Sequence, residues 1–75
     1  MTITPQTTID ILEPSGAVAS TCTIACYAAD NSDGIESGDC PTAEFLAAAL
    51  TVRPRGPVSL WSGYFARVHR PWQIV

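Results

Sequence analysis

The alternation of apolar and polar residues near the start of the chain predicts a β-hairpin. Within residues 6–13, Ile9 and Ile11 share one face of an extended chain, and the intervening residues fall on the other. Residues 13–16, Glu-Pro-Ser-Gly, are typical of a turn, because proline presets φ at the second position and glycine suits the fourth. Residues 17–28 alternate again, so we predict a second strand there.

A short amphipathic helix is predicted over residues 41–52. Asp39 or Cys40 can cap its N terminus, and Pro41 suits its first turn. Pro54 ends it, because the residue before a proline is pushed away from helical angles. Four apolar residues form a stripe that should pack on the sheet: Phe45, Leu46, Ala49 and Leu50.

The remainder of the chain predicts one more strand. Residues 58–69 alternate and are enriched in aromatic and β-branched side chains. Arg70-Pro71 breaks the pattern, and residues 72–75 are expected to form a closing strand or a docked tail. Residues 1–5 are expected to be a flexible end. The order ββαβ predicts an α+β fold, a single small domain over residues 1–75 with one helix on an antiparallel sheet.

The composition limits how stable this domain can be. The chain has 75 residues, 47% of them apolar, and many of these are alanines that bring little burial energy. One core of this size supplies about 3–5 kcal/mol. A bound partner or a homodimer is therefore a natural source of further stability.

Acidic and basic residues are separated along the chain. All seven acidic residues lie in the first 44 positions, all four arginines follow position 52, and there is no lysine. This separation creates a field that can orient a charged partner. Residues 30–39 combine glycines, serines and acids, and so are expected to form a solvated loop. We predict that four acids of this loop contact a basic surface of a partner: Asp30, Asp33, Glu36 and Asp39.

The arginines are interleaved with aromatic residues, a combination that anchors many protein interfaces. The residues predicted to contact a protein partner in this part of the chain are Arg53, Arg55, Trp61, Arg67, Arg70 and Trp72. The same segment, with Tyr64 and Phe65, could instead bind single-stranded nucleic acid, through phosphate contacts and base stacking. The small number of basic residues and the net charge of −3 make nucleic acid the weaker alternative.

The three cysteines and the one histidine form a possible zinc-ligand set: Cys22, Cys26, Cys40 and His69. Their spacing does not match the C-x2-C pairs of zinc knuckles. We therefore expect reduced, unligated thiols, at least two of them buried. A zinc-stabilised small domain is the alternative.

The residues in and around the acidic segment do not match the calcium-binding loop of an EF-hand. Alignment on Gly34 places Ala29 and Cys40 at the first and last ligand positions, where carboxylates are needed. We predict no cofactor.

Enzymatic activity is not expected. No phosphate-binding glycine loop, H-E-x-x-H or G-x-S-x-G motif is present. The single histidine, His69, lies beside Arg67 and Arg70, and nothing in the local sequence marks one cysteine as a nucleophile.

The sequence predicts a cytoplasmic protein with no membrane partner, found in a host cytosol or, if phage-encoded, in a virion. Residues 1–12 lack a signal-peptide pattern, and the longest uncharged run, 14–29, is too short to span a bilayer. The leading hypothesis is a small non-enzymatic binding protein that docks on a larger macromolecule. By class-level analogy, it could be a phage or mobile-element product that inhibits or modulates host machinery, or a small assembly subunit.

Overall fold

The first two strands form the hairpin that the sequence predicts. In the computed structural model, which describes residues 2–70, strand β1 spans Thr8–Leu12 and pairs antiparallel with strand β2, Val18–Thr23. The turn is closed by a hydrogen bond from the Gly16 amide to the Glu13 carbonyl oxygen, 2.8 Å long. Gly16 has a φ of +93°, a left-handed conformation that glycine adopts without steric cost. The predicted turn is therefore confirmed.

The second predicted strand is wrong in its C-terminal part. Strand β2 ends at Thr23, and helix α1 follows at once over Ile24–Asp30. The Thr23 hydroxyl oxygen caps this helix by accepting a hydrogen bond from the Cys26 amide at 3.1 Å. Ile24 and Tyr27 lie three positions apart on one face of α1, and both are buried in the core. The strand-like alternation thus gives way to helical spacing at a threonine that can serve either structure.

The acidic segment 30–39, predicted to be a loop, contains a second helix, α2, over Ser32–Ser37. This helix ends at Gly38, whose amide donates to the carbonyl oxygens of Gly34 and Ile35. The Ile35 side chain packs against the core and so holds the short helix in place. The loop prediction is therefore wrong for these six residues. The acidic side chains are nevertheless exposed, as expected of a solvated segment: Asp30, Asp33, Glu36 and Asp39.

The predicted third element is confirmed as helix α3, Ala43–Val52. Its cap is Thr42, whose hydroxyl oxygen accepts a hydrogen bond from the Phe45 amide at 3.0 Å, rather than the predicted Asp39 or Cys40. Two residues of the predicted stripe, Leu46 and Leu50, are fully buried, and Ala49 is half-buried. Phe45 is 61% exposed, so its placement in the core was wrong. One residue step turns a helix by about 100°, which carries Phe45 away from the face that Leu46 buries.

The predicted C-terminal strand is in fact a hairpin of two short strands. Strand β3 spans Val58–Ser59 and pairs antiparallel with strand β4, Phe65–Val68. Between them the chain turns through Ser62 and Gly63, both at positive φ. A hydrogen bond of 2.8 Å from the Leu60 amide to the Tyr64 carbonyl oxygen closes the turn.

The four strands form an antiparallel sheet in the order β2-β1-β4-β3. One face carries the core, to which the sheet contributes Ile9, Ile11, Val58, Ala66 and Val68, and helices α1 and α3 contribute Ile24, Tyr27, Leu46 and Leu50. Side chains alternate across a strand, so Asp10 and Arg67 project from the opposite face. The predicted α+β class with an antiparallel sheet is confirmed, although three helices accompany the sheet in residues 2–70 where one was predicted.

The N-terminal segment touches the rest of the protein more closely than expected of a flexible end. Ile3 packs against the core, and the Pro5 carbonyl oxygen accepts a hydrogen bond from the Ala25 amide at 2.9 Å.

The predicted closing strand or tail at residues 72–75, with Trp72, lies outside the described residues. No helix within residues 2–70 has the length and apolar character needed to cross a membrane.

Candidate functional site

Asp10 is the buried charged residue of the part of the chain that the structure describes, with only 4% of its surface exposed. It lies in the middle of β1, between two isoleucines whose side chains enter the core. Because β1 is flanked by β2 and β4, Asp10 has a neighbour on each side, Thr21 and Arg67. Burying a carboxylate is costly unless it is paired and hydrogen-bonded. The surroundings of Asp10 provide both.

Three side chains from two segments of the sequence bind the Asp10 carboxylate. The Thr21 hydroxyl donates to Oδ1 at 3.0 Å, and Arg67 Nε donates to Oδ2 at 3.1 Å. His69 Nδ1 lies 2.8 Å from Oδ1. Burial by itself would raise the pKa of the Asp10 carboxyl, but the hydrogen bonds from Arg67, His69 and Thr21 bring this pKa below its ordinary value of 3.8.

The ionised state of Asp10 determines the role of His69. A carboxylate without a proton can only accept hydrogen bonds, so the hydrogen between Asp10 and His69 is carried by Nδ1. Within residues 2–70, the His69 Nε2 atom makes no hydrogen bond, so it can contact a ligand. The His69 amide also donates to the Thr8 carbonyl oxygen at 3.0 Å, which continues the pairing of β1 with β4 by one residue. His69 is thereby held on the same face of the sheet as Arg67.

Arg55 reaches the same region from the turn that precedes β3. Its Nη1 atom donates to the carbonyl oxygen of Val68, and the Val68 amide donates to the Pro54 carbonyl oxygen at 2.7 Å. Gly56, at a φ of +28°, allows this turn, since a Cβ atom there would lie 2.7 Å from the Val58 amide nitrogen. Burial, together with the neighbouring charges of Arg67 and Arg70, lowers the pKa of the Arg55 guanidinium. Three arginines therefore share one region of the surface.

These residues line a cleft of about 260 Å³ on the face of the sheet opposite the core, which we call the basic cleft: Asp10, Val18, Thr21, Arg55, Arg67, His69 and Arg70. Three arginines and one aspartate give this cleft a formal charge of +2 when His69 is neutral. Guanidinium groups present donors in a planar fork that matches the oxygens of a carboxylate or phosphate. The arrangement can therefore bind an anion.

Much of the donor capacity of the cleft is not used internally. Arg67 binds Asp10 through Nε, so its two terminal nitrogen atoms take no part in that hydrogen bond. Among the hydrogen bonds formed within residues 2–70, none involves these terminal atoms or the Arg70 guanidinium. The carboxylate of Asp10 thus positions Arg67 through its Nε atom, while the terminal guanidinium nitrogens of Arg67 can still donate to a ligand.

The structure brings together three of the four arginines predicted to contact a partner. Arg55, Arg67 and Arg70 line the basic cleft, whereas Arg53 lies in a separate groove beside α3, where Nη2 donates to the Pro57 carbonyl oxygen at 3.3 Å. Trp61, which was also predicted to contact a partner, does not line the basic cleft.

The aromatic residues near the arginines in sequence lie mainly on the other side of the sheet. Trp61 is stacked between Tyr27 and Tyr64, with ring centroids 6.4 Å and 5.3 Å away, and Trp61 and Tyr64 both pack against the core. Phe65 precedes Arg67 by two positions on β4, so its half-buried side chain shares the arginine face, where it pairs with Leu12 on β1. Within residues 2–70, the stacked rings of Trp61 and Tyr64 are therefore not assembled with the arginines on one surface.

The four acids of segment 30–39 lie on the helical side of the molecule. Within the described residues, the ion pairs are those of Asp10 with Arg67 and His69, so these acids pair with none of the arginines there. Asp39 accepts a hydrogen bond from the Ser37 hydroxyl at 3.1 Å, and Asp30 lies 3.6 Å from the Cys26 sulfur. The molecule thus has acidic side chains on its helices and a basic cleft on the opposite face of its sheet.

The cysteines are free, but the prediction that at least two are buried is wrong. Cys22 and Cys40 are half-buried, and Cys26 is exposed. The pKa of the Cys22 thiol is raised mainly by burial and secondly by the neighbouring Cys26. His69 is bound to Asp10, away from these thiols, and within residues 2–70 no group of three or more potential ligands could hold a metal. The four residues of the zinc alternative are therefore not assembled.

Sequence reasoning missed Asp10 and Thr21 as parts of a site and considered His69 only as a metal ligand or an isolated base. The available signal was a single acid between two isoleucines in a strand, at a position facing away from the core. That signal identifies an unusual residue. Only the pairing of β1 with β2 and β4 identifies its partners.

No family model matches the chain, and no curated protein or solved structure matches it significantly.

Proposed function

We propose that the protein is a small non-enzymatic binding protein that docks on a larger macromolecule by placing an anionic group of that partner in the basic cleft. The observation that carries this proposal is the convergence of Arg55, Arg67 and Arg70 on one cleft. Like charges held this close repel one another, and Asp10 offsets only one of the three. An anion from a partner would offset the remainder.

A protein partner is favoured over nucleic acid by the position of the aromatic rings. Proteins that bind single strands combine a basic groove with rings on which bases stack. Here Trp61 and Tyr64 stack on each other and pack against the core, on the side of the sheet away from the arginines. The cleft is also a single compact site, and the protein has a net charge of −3, which repels a long polyanion.

The exposed acids contribute a second, opposite pole. Because Asp30, Asp33, Glu36 and Asp39 are on the helical side, they favour one orientation of a partner whose own charges are unevenly distributed. Charges of this kind change association rates and their dependence on salt more than they change stability. By class-level analogy, we propose that the protein acts as a phage or mobile-element inhibitor or modulator of host machinery, or as a small assembly subunit.

The non-enzymatic part of the proposal is supported by what lines the cleft. Asp10 and His69 are paired as an orienting acid and a base would be in a hydrolase. However, the Thr21 hydroxyl donates a hydrogen bond to Asp10, and within residues 2–70 no cysteine is among the residues that line the cleft. His69 therefore has no neighbouring nucleophile to activate among these residues. Its arginine neighbours are better suited to binding an anion than to catalysing hydrolysis.

A cytoplasmic location, in a host cytosol or a virion, belongs to the same proposal. Three free thiols, one of them exposed, fit a reducing compartment.

The test is a residue-resolved NMR titration of the ¹⁵N-labelled protein with two probes of equal charge, a short glutamate-rich peptide and an oligothymidylate. The peptide should shift the amide resonances of Thr21, Arg67 and His69. Arg70→Gln should weaken its binding about tenfold, because a charge-assisted hydrogen bond is lost. Arg53→Gln, which removes the same charge outside the cleft, should weaken it less than twofold or so.

Two results would contradict the proposal. Equal weakening by Arg70→Gln and Arg53→Gln would show that the peptide responds to net charge and not to the cleft. Tighter binding of the oligothymidylate through the same amides would favour the nucleic-acid alternative.

A further inference from the structure

We infer that the anionic group for which the basic cleft is built is a phosphomonoester, carried by a phosphorylated side chain of a partner protein. This inference rests on the proposed function and deepens it by naming the chemical class of the group. Its support comes from the charge of the cleft, the donors that line it, its size and its position beside an edge strand.

Charge complementarity favours a phosphomonoester over other common anions. The cleft carries a formal charge of +2 from Arg55, Arg67 and Arg70 against Asp10. A phosphorylated side chain carries about −1.5 to −2 at neutral pH, whereas a carboxylate or a phosphodiester carries only about −1. A singly charged group would leave an uncompensated arginine among its neighbours.

The donors also match a group with several oxygens. The two terminal nitrogens of Arg67, the Arg70 guanidinium and the remaining nitrogens of Arg55 face no acceptor within residues 2–70. A phosphoryl group offers three strong acceptor oxygens, one more than a carboxylate. Asp10 fixes the position of Arg67, and the Val68 carbonyl oxygen fixes that of Arg55. Donors held in place before binding lose less conformational entropy when the anion arrives.

The size of the cleft limits the ligand to a small group. At about 260 Å³, it is below the range of about 300–1,000 Å³ that is usual for sites that enclose a whole small molecule. A phosphoryl group on a side chain fits this space, while the rest of its carrier stays outside.

A protein segment is the source of the phosphoryl group that the fold accommodates best. Val18 and Thr21 line the cleft and belong to β2, which is at the edge of the sheet. Residues 18–21 are exposed, and β2 contains no charged residue and no proline that would block pairing at this edge. An extended segment can therefore add its backbone beside β2 while its phosphorylated side chain enters the cleft.

The experiment compares three synthetic peptides of one sequence, with phosphoserine, glutamate or serine at the central position, and inorganic phosphate as a fourth probe. Each is titrated into the ¹⁵N-labelled protein at constant ionic strength. The phosphoserine peptide should bind about tenfold or more tightly than the glutamate peptide, with shifts at Thr21, Arg67 and His69. It should also shift the amides of β2 residues that do not line the cleft, such as Ala19 and Ser20, whereas inorganic phosphate should bind more weakly and shift only the cleft amides.

Matched variants link this preference to the cleft. Arg70→Gln should reduce the advantage of phosphoserine over glutamate to about twofold, because the charge of the cleft falls to +1. Arg53→Gln should retain the tenfold advantage, since Arg53 lies in another groove. Amide spectra of the two free variants, compared with the parent, show whether each variant is folded before its binding is interpreted.

Each possible result decides a separate point. Equal binding of the phosphoserine and glutamate peptides at the cleft would overturn the phosphomonoester inference and leave the proposed function standing. Inorganic phosphate that binds as tightly as the phosphoserine peptide would overturn the assignment to a protein segment. If no peptide shifts the cleft amides, the proposed function fails together with the inference.

Discussion

Arg67 Nε donates a hydrogen bond of 3.1 Å to Asp10 Oδ2, across 57 positions of the sequence. The contact joins the N-terminal hairpin to the last described strand, and so joins the acidic part of the chain to its basic part. It exists because β1 pairs with β4 in a register that places Asp10 directly beside Arg67. One ion pair thus serves both the closure of the sheet and the positioning of a guanidinium in the basic cleft.

Asp10→Asn should make the protein less stable at neutral pH and remove part of its sensitivity to acid. The pKa of Asp10 is lowered in the folded protein, so its contribution to stability is present above the ordinary pKa of 3.8 and is lost as the pH falls through the folded value below it. We expect the variant to lose about 1–3 kcal/mol of unfolding free energy at pH 7. Below pH 3.8 the difference from the parent should shrink.

Urea unfolding of Asp10→Asn and the parent between pH 7 and pH 2.5 or so measures both effects. Glu13→Gln is the control, because Glu13 follows the same strand but takes no part in the hydrogen bonds around Asp10. A difference between parent and Asp10→Asn that stays constant across this pH range would contradict the linkage.

Leu46→Ala should destabilise the protein far more than the same change at the next residue. Leu46 is fully buried on the core-facing side of α3, so its truncation leaves a cavity and should cost about 2–4 kcal/mol. Phe45→Ala removes a larger side chain, but one that is 61% exposed, and should cost less than about 1 kcal/mol. Thermal melts of the two variants compare them directly. Equal losses at the two positions would show that the face of α3 assigned to the core is wrong.

Tyr27→Phe should change the response of the protein to alkali. Burial raises the pKa of the Tyr27 phenol from 10.0 to about 12, and its hydroxyl donates to the Pro41 carbonyl oxygen at 2.7 Å. A raised pKa in the folded state means that this stabilisation is complete below pH 10 and declines as the pH rises from 10 towards 12. The parent should lose about 2–3 kcal/mol over this interval through Tyr27.

Tyr27→Phe should lack this decline, after an initial cost of about 1 kcal/mol or more at pH 7 for the lost hydrogen bond. Tyr64→Phe is the matched control, since Tyr64 is only half-buried and stacks on Trp61. Urea midpoints at pH 7 and at rising pH above 10 provide the measurement. Identical alkaline declines in the parent and in Tyr27→Phe would disprove the role of this phenol.

The parts of the fold that follow from the sequence are those set by local signals. Helix α3 follows from its apolar stripe and the proline after it, and the first hairpin follows from alternation around a proline-glycine turn. The boundary between β2 and α1 does not follow from local signals, because Thr23 suits either a strand or a helix cap. The packing of Tyr27 in the core decides between the two. The turn at Ser62 and Gly63 interrupts an alternation that continues on both sides of it.

The basic cleft could be predicted only in part. The interleaving of arginines with aromatic residues predicts that Arg55, Arg67 and Arg70 belong to a binding surface, and the structure places these three around one cleft. The exclusion of Arg53 and Trp61 does not follow, since it depends on which face of the sheet each segment reaches. Asp10 and Thr21 became members of the site only through strand register, which short-range pattern does not specify.

Neutralising the acids of segment 30–39 should leave the stability of the protein nearly unchanged. The variant replaces Asp30, Asp33 and Asp39 by Asn and Glu36 by Gln. These side chains are exposed, and within residues 2–70 none of them pairs with an arginine. Asp39 accepts a hydrogen bond from the Ser37 hydroxyl and Asp30 lies near the Cys26 sulfur, and exposed contacts of this kind contribute little to stability.

The melting temperature of this variant should stay within a few degrees of the parent's or rise slightly, at low and at high salt. Its association with the cognate partner should be slower, most clearly at low ionic strength, because the field that steers the encounter is weakened. The rival explanation is an internal latch, in which the acids fold back onto the arginines. A latch would make the variant melt several degrees below the parent at low salt and respond less to added salt than the parent does. Thermal melts at two salt concentrations therefore decide whether the acidic segment acts within the molecule or between molecules.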